Sequence, residues 1–157
     1  MKDIFLDIQN ELGKIKELQH IDKNWGQLLY EQPPVKFPCA LLDITEVNYS
    51  QMGNLAQTAN GVVEIVIANF RLTNSSSKAP RKEESYKVFE IIEKIHQLLH
   101  GYTNGRIIPL IRINLQKLDT QKNYEIYKAS YQTAWQVDKE FCLIPVRVTP
   151  TIHTEIQ

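Results

Sequence analysis

Apolar positions along the chain recur at two different periods, and the changes between them mark its elements. Ile4, Phe5, Ile8, Leu12, Ile15 and Leu18 return at steps of three and four, with polar residues filling most other positions. That spacing lines one side of a helix and predicts an amphipathic helix over 2–19, weakened locally by Gly13. DKNWGQLLYEQ, 22–32, is short and aromatic and reads as a turn with a fragment of helix. In PPVKFPCALLDI, 33–44, the prolines Pro33, Pro34 and Pro38 hold the preceding residues extended and forbid a helix. The period then becomes two. Residues 39–49 predict a strand with Ala40, Leu42 and Ile44 on one face and Leu41, Asp43, Thr45 and Val47 on the other. SQMGNLAQTANG, 50–61, has little to bury and reads as a long loop. GVVEIVIANFRL, 61–72, is β-branched throughout and predicts a second strand.

A polar linker, TNSSSKAP, ends in a proline suited to a helix's first turn. From there to His100, Tyr86, Phe89, Ile92, Ile95 and Leu99 make one stripe, widened by Val88, Ile91 and Leu98. Lys82, Glu83, Glu90 and Lys94 take the wet side, and Gly101 is the expected C-terminal cap. RIIPLIRINLQKL, 106–118, predicts a third strand with Ile111, Ile113 and Leu115 on one face. Pro109, lacking an N–H, belongs at its start or on a sheet edge. LDTQKN makes a turn. YEIYKASYQTAWQV, 124–137, alternates cleanly: Tyr127, Ala129, Tyr131, Thr133, Trp135 and Val137 against Ile126, Lys128, Ser130, Gln132 and Gln136. The β-like run FCLIPVRVT follows within 139–157 and reads as a further strand or an arm lying on a neighbour. The order α-β-β-α-β-β predicts an α+β fold, a mainly antiparallel four-stranded sheet with two helices packed on one face. Residues 1–138 form its single domain.

Composition narrows the function. A chain of 157 residues buries a real core, and 18 basic against 18 acidic side chains leave no net charge. A dedicated nucleic-acid binder needs a basic surface, so no sequence-specific nucleic acid is expected. Missing net repulsion favours association instead. MKDIFLDIQNEL carries charges through its apolar residues, unlike a signal peptide, and no stretch approaches the roughly 20 apolar residues of a membrane span. No membrane partner is expected. Cys39 and Cys142 have no C-x-x-C spacing, which fits reduced thiols in a cytosol.

Catalytic constellations are poor. A nucleophilic Cys39 needs a base and an open electropositive setting; between Pro38 and Ala40 it reads as packing at the start of a strand. Glu93, His96 and His100 share one side of the second helix at metal-ligand spacing. Without a second ligand cluster they read as structural, and a small metal-dependent hydrolase is the alternative they support. Asp119, Glu125 and Lys128 lie near one hairpin as in a nuclease, but alternation sends Glu125 and Lys128 to opposite faces. Phosphate-cradling glycine motifs and the G-x-S-x-G elbow are absent. No cofactor is expected. A ligand-binding α+β module with its pocket between helices and sheet is a third reading. Tyr127, Tyr131 and Trp135 read as core, while Lys128, Ser130, Gln132 and Gln136, with Arg112, Asn114 and Gln116 alongside, give a polar face suited to solvent or a wet protein interface.

One combination is more specific. The N-terminal amphipathic helix, Trp25 to Tyr30, FPCALLDI, the long loop into GVVEIVIANFRL, the helix SYKVFEIIEKIHQLLHG and the closing SYQTAWQV follow one another over residues 1–138. Together they resemble the tail terminator or tail completion proteins of tailed bacteriophages and prophages. The resemblance implies a non-enzymatic virion subunit, assembled in the bacterial cytoplasm and then part of the phage tail. It implies a hexameric ring of copies, monomeric at low concentration, with the tail tube protein and the head–tail connector as partners. Head–tail connectors and injection-machine components are related possibilities. A ring needs one patch to meet a different patch on the next copy. Gln51, Asn54, Gln57, Asn60, Ser75, Lys78, Lys128 and Gln132 are the candidate subunit contacts, from loops 50–60 and 73–79 and the polar sheet face, and the tail after Asp138 is a further candidate. Arg71, Lys78, Arg81 and Lys82 are candidates to face DNA in a lumen, although a solvated helix start suits them better.

Overall fold

A computed structural model describes residues 1–53, 56–70, 75–120 and 122–137. The order is α1 (Lys2–Leu12), β1 (His20–Lys23), β2 (Cys39–Gly53), β3 (Ala56–Phe70), α2 (Lys87–Leu99), β4 (Ile111–Leu118) and β5 (Tyr124–Val137), with short 3-10 turns at Gln27–Leu29 and Lys82–Tyr86. The strands form one five-stranded sheet in the order β1-β2-β3-β5-β4. Pairing is antiparallel except between β1 and β2.

The fifth strand corrects the four-strand expectation. His20–Lys23 runs parallel to Cys39–Leu42, so the segment between them is a crossover. Nothing in HIDK announces a strand; the neighbouring β2 supplies the hydrogen bonds that make it one. Buried Gln27 holds the following turn. Its Nε2 donates to the Lys23 carbonyl at 2.7 Å and to Asp22 at 3.2 Å, while its Oε1 accepts from the Trp25 amide at 2.9 Å.

α1 also ends earlier than its periodicity suggests, at Leu12 rather than residue 19. Beyond Gly13 the chain tightens into successive i→i+3 turns, the Ile15 amide bonding Leu12 and the Leu18 amide bonding Ile15. Ile15 stays buried and Leu18 packs against the core, so the apolar stripe serves the core without a helix to carry it. α2 begins at Lys87, after the 3-10 turn, rather than directly after Pro80. Gly101 follows its end at φ 81°, the left-handed conformation of a C-terminal glycine.

The core lies between the helices and one sheet face. Ile4, Ile8 and Leu12 of α1 and Val88, Ile91, Ile92, Ile95 and Leu99 of α2 meet Leu42, Ile65, Ile67, Tyr127, Ala129, Tyr131 and Trp135. Both helices thus pack on one side, as the alternation of β5 requires. A second cluster lies on the other face at one end: Cys39, Leu41, Val66, Ala68 and Tyr124, covered by Leu28, Val35, Phe37 and Ile126. The proline-rich segment is therefore a partial lid on the back of the sheet. Its Phe37–Pro38 peptide is cis.

The predicted loop over 50–61 is strand instead. β2 continues to Gly53 and β3 begins at Ala56, with Gln51 opposite Gln57 and Asn48 opposite Asn60. Polar side chains hid it, because strands solvated on both sides show no hydrophobic alternation. Asn54, Leu55, residues 71–74 and the segment 139–157 lie outside the described residues. The third predicted strand is shorter too: Ile107 makes a single bridge to Trp135, and regular pairing starts at Ile111. A bulge between Arg112 and Asn114 shifts the register. It sets Ile111 opposite Gln132 but Leu115 opposite Ala129, so these apolar residues do not share one face. Arg112 likewise falls opposite Tyr131, away from the polar face where Asn114 and Gln116 lie.

Candidate functional site

Surface chemistry follows from what the helices and the proline-rich lid leave uncovered. On the back of the sheet, beyond the second apolar cluster, register brings Asp43, Glu46 and Asn48 of β2 beside Glu64, Val62 and Asn60 of β3. Lys128, Ser130 and Gln132 of β5 continue the row, and Gln116 and Asn114 of β4 complete it. Lys128 donates to Glu64 across the strands at 3.0 Å, so this lysine is half-buried and neutralised rather than presented. Asn48 donates to Glu46 at 2.9 Å.

Of the predicted contact residues, Asn60, Lys128 and Gln132 share this polar face. Gln51 and Gln57 sit at the far end of the β2–β3 hairpin on the opposite side. Ser75 and Lys78 are exposed in the segment before α2, where Ser75 lines a cleft with Phe89 and Tyr127. Asn54 lies outside the described residues. The structure thus spreads the seven described ones over three places. Arg81 and Lys82 are exposed at the 3-10 turn, and Arg71 is outside the described residues.

The histidines face different surroundings. Glu93 is exposed, His96 is half-buried and His100 is exposed with its Nδ1 accepting from the Arg112 amide at 3.2 Å. The two imidazoles lie 4.7 Å apart, centre to centre. Burial, then the positive charges of Arg112 and His100, hold the His96 pKa below its usual value. Among the described residues no three His, Cys, Asp or Glu side chains are placed to hold a metal. Glu125 and Lys128 point to opposite faces, as alternation requires; Glu125 lies 4.0 Å from Lys117. Cys39 is fully buried against Ala68, and burial pushes its thiol up to about 11. A thiol so protonated is a poor nucleophile.

Clefts lie between α2 and the sheet, one against Asn69 and Phe70 and one against Lys117, Glu125 and Tyr127, and a further hollow lies on the other face. This hollow, of about 780 Å³, lies between the proline-rich lid and the end of β3 and β5, floored by Phe37, Phe70 and Tyr124. Phe37 stacks at 4.3 Å from Phe70 and 5.1 Å from Tyr124. Lys122 closes the back of it by donating to the carbonyls of Leu28 at 2.8 Å and Tyr30 at 2.5 Å, and the Tyr124 hydroxyl donates to Leu28 at 2.7 Å. These bonds fasten the lid to the sheet.

Two open edges were not legible in the sequence. β1 covers β2 only as far as Leu42, leaving β2 from Asp43 to Gly53 without a partner on its outer side among the described residues. Tyr49 and Met52 there are 50% and 61% exposed. At the opposite edge β4 exposes Ile111 (47%), Ile113 (52%) and Leu115 (41%). The one sequence signal for this edge was Pro109, just before β4.

Among the described residues no helix is long and apolar enough to cross a membrane. No protein-family model and no curated protein matches this chain. Among solved structures, a chain described as "Virion of native gene transfer agent (GTA) particle" is similar at a TM-score of 0.46 and 9% identity. The match covers 83% of this chain and 84% of that one.

Proposed function

We propose that this protein is a non-enzymatic structural subunit of a phage or prophage tail. Copies form a ring that terminates the tail tube and joins it to the head connector. The observation that carries the reading is the pair of unlike open edges on opposite sides of one sheet. The β2 edge is polar with Tyr49 and Met52 near its tip, and the β4 edge exposes Ile111, Ile113 and Leu115, divided between its two faces by the bulge. Unlike patches on one subunit make head-to-tail contacts, which close into a ring when the rotation allows. A neutral chain adds no long-range repulsion between copies. The succession of elements that resembles tail terminators supports the same reading, and the polar back face suits a wet contact with other virion proteins.

Light scattering coupled to size exclusion tests it, with and without purified tail tubes. The expected outcome is a hexamer, or a monomer that forms rings on the tubes. A strict monomer that neither assembles nor binds tubes overturns the reading.

A further inference from the structure

β4 ends the sheet, and among the described residues no strand pairs with its outer side, although the Arg112 amide near its start is engaged by His100 Nδ1 at 3.2 Å. Natural sheets protect such an edge with charge, a bulge or a cover, because unpaired amides and carbonyls template another strand. Here the bulge at Arg112–Asn114 is the visible device. The half-exposed Lys117 side chain leans toward β5, 5.6 Å from the Tyr127 ring and 4.0 Å from Glu125. Phe89, 42% exposed, packs edge-on against Tyr127 at 5.4 Å and extends the apolar surface beyond β4 onto α2.

The chain continues for twenty residues after Val137, and FCLIPVRVT at 141–149 is the apolar part of that length. Pro145 bars it from a central strand, since a proline has no amide to give. At an outermost position the restriction vanishes. With Pro145 turned to solvent, Cys142, Ile144, Val146 and Val148 are the residues whose backbone groups face the sheet, since these groups alternate along a strand. We propose that residues 141–149 of a neighbouring copy add to the open edge of β4 as a sixth strand.

Geometry favours the neighbour over the same chain. β5 runs to Val137, five residues past Gln132, the partner of Ile111. Returning to the level of Ile111 takes about 17 Å along the strands and about 10 Å across two strand spacings. The connection 138–140 spans at most about 14 Å when fully extended. Ile107 and Ile108 also lie across that route, bridging Trp135 and donating to the Ala134 carbonyl at 2.8 Å. A second copy has neither constraint. Strand addition gives affinity through the backbone and specificity through alternate side chains. The inference rests on the self-assembling reading and narrows it: the element that meets the β4 edge of one subunit is this arm of the next copy, not that copy's β2 edge.

Hydrogen exchange by mass spectrometry on the full-length protein, from micromolar to near-millimolar concentration, decides the matter. The expected result is exchange over 111–118 about tenfold slower at high concentration, through the added ladder of hydrogen bonds. Ile144→Asp and Val146→Asp should each abolish that slowing, as should Leu115→Lys. The first two changes lie beyond β5, and unchanged exchange in α2 and β5 verifies the fold. Slowing that is independent of concentration assigns the edge to the chain's own segment and overturns the proposal. Slowing that survives Ile144→Asp assigns it to another strand of a second copy and does the same. No slowing at any concentration leaves the edge without an occupant and also overturns it. Tube capping is scored separately: β4 slowed in a protein that never caps tubes sustains this inference while the tail reading fails.

Discussion

Trp135 and Gly61 illustrate how single residues set the limits of this core. Gly61 sits opposite Thr133, and a Cβ placed on it would lie 2.7 Å from the Trp135 ring. The missing side chain leaves room for the indole to approach β3 closely. Gly61→Val should therefore destabilise the fold by about 1–3 kcal/mol through overpacking, measured by urea denaturation. His96 sets a pH limit. Because its folded pKa lies below the ordinary 6.5, the unfolded chain takes up the proton first as pH falls. Its contribution is present above that value and lost as pH drops through it. His96→Gln should flatten the part of the stability–pH profile below 6.5 relative to the parent chain, whatever the other histidines contribute. Both arguments depend on tertiary neighbours. From the sequence, Gly61 marked only a loop's end and His96 only a helix side.

Elements differ in how much of their existence is local. α2 has a stripe, a wet side and a terminating glycine, and all three are in the sequence; its start differs, because Lys82–Tyr86 winds as a 3-10 turn and Tyr86 and Phe89 of the stripe are left exposed. Gly101 has open space around it but φ at 81°, so Gly101→Ala should cost about 1 kcal/mol from backbone strain alone, read from thermal denaturation. β5 was equally legible, since one of its faces is buried along most of its length. β1 and the distal hairpin were not. They are held by backbone ladders to neighbours distant in sequence or by polar partners, which leave no period to read. In β4 the error was more specific: three apolar residues at alternate positions implied a buried face, and a bulge with no covering helix left them exposed.

For the whole molecule, what is open matters more than what is enclosed. A neutral chain whose sheet ends in exposed apolar side chains should associate through desolvation rather than charge. Sedimentation from low to high salt should accordingly show association unchanged or strengthened, since screening has little to remove. Loss of association at high salt would place the contact on the charged groups around Glu46, Glu64 and Lys128 instead.

The sequence by itself determined the α+β class, both helices, the inward face of β5 and the burial of Cys39, because each is written in local periodicity or in the fixed backbone of proline. Tertiary structure alone decided the parallel β1, the lid over the back of the sheet, the hairpin in place of a loop, and which strands stand at the edges. Those depend on which backbone groups find partners, most of them far along the chain and, in the hairpin, across a few polar residues with no period to read. That choice is made by the assembled sheet, and it is also what leaves the β4 edge open for another strand.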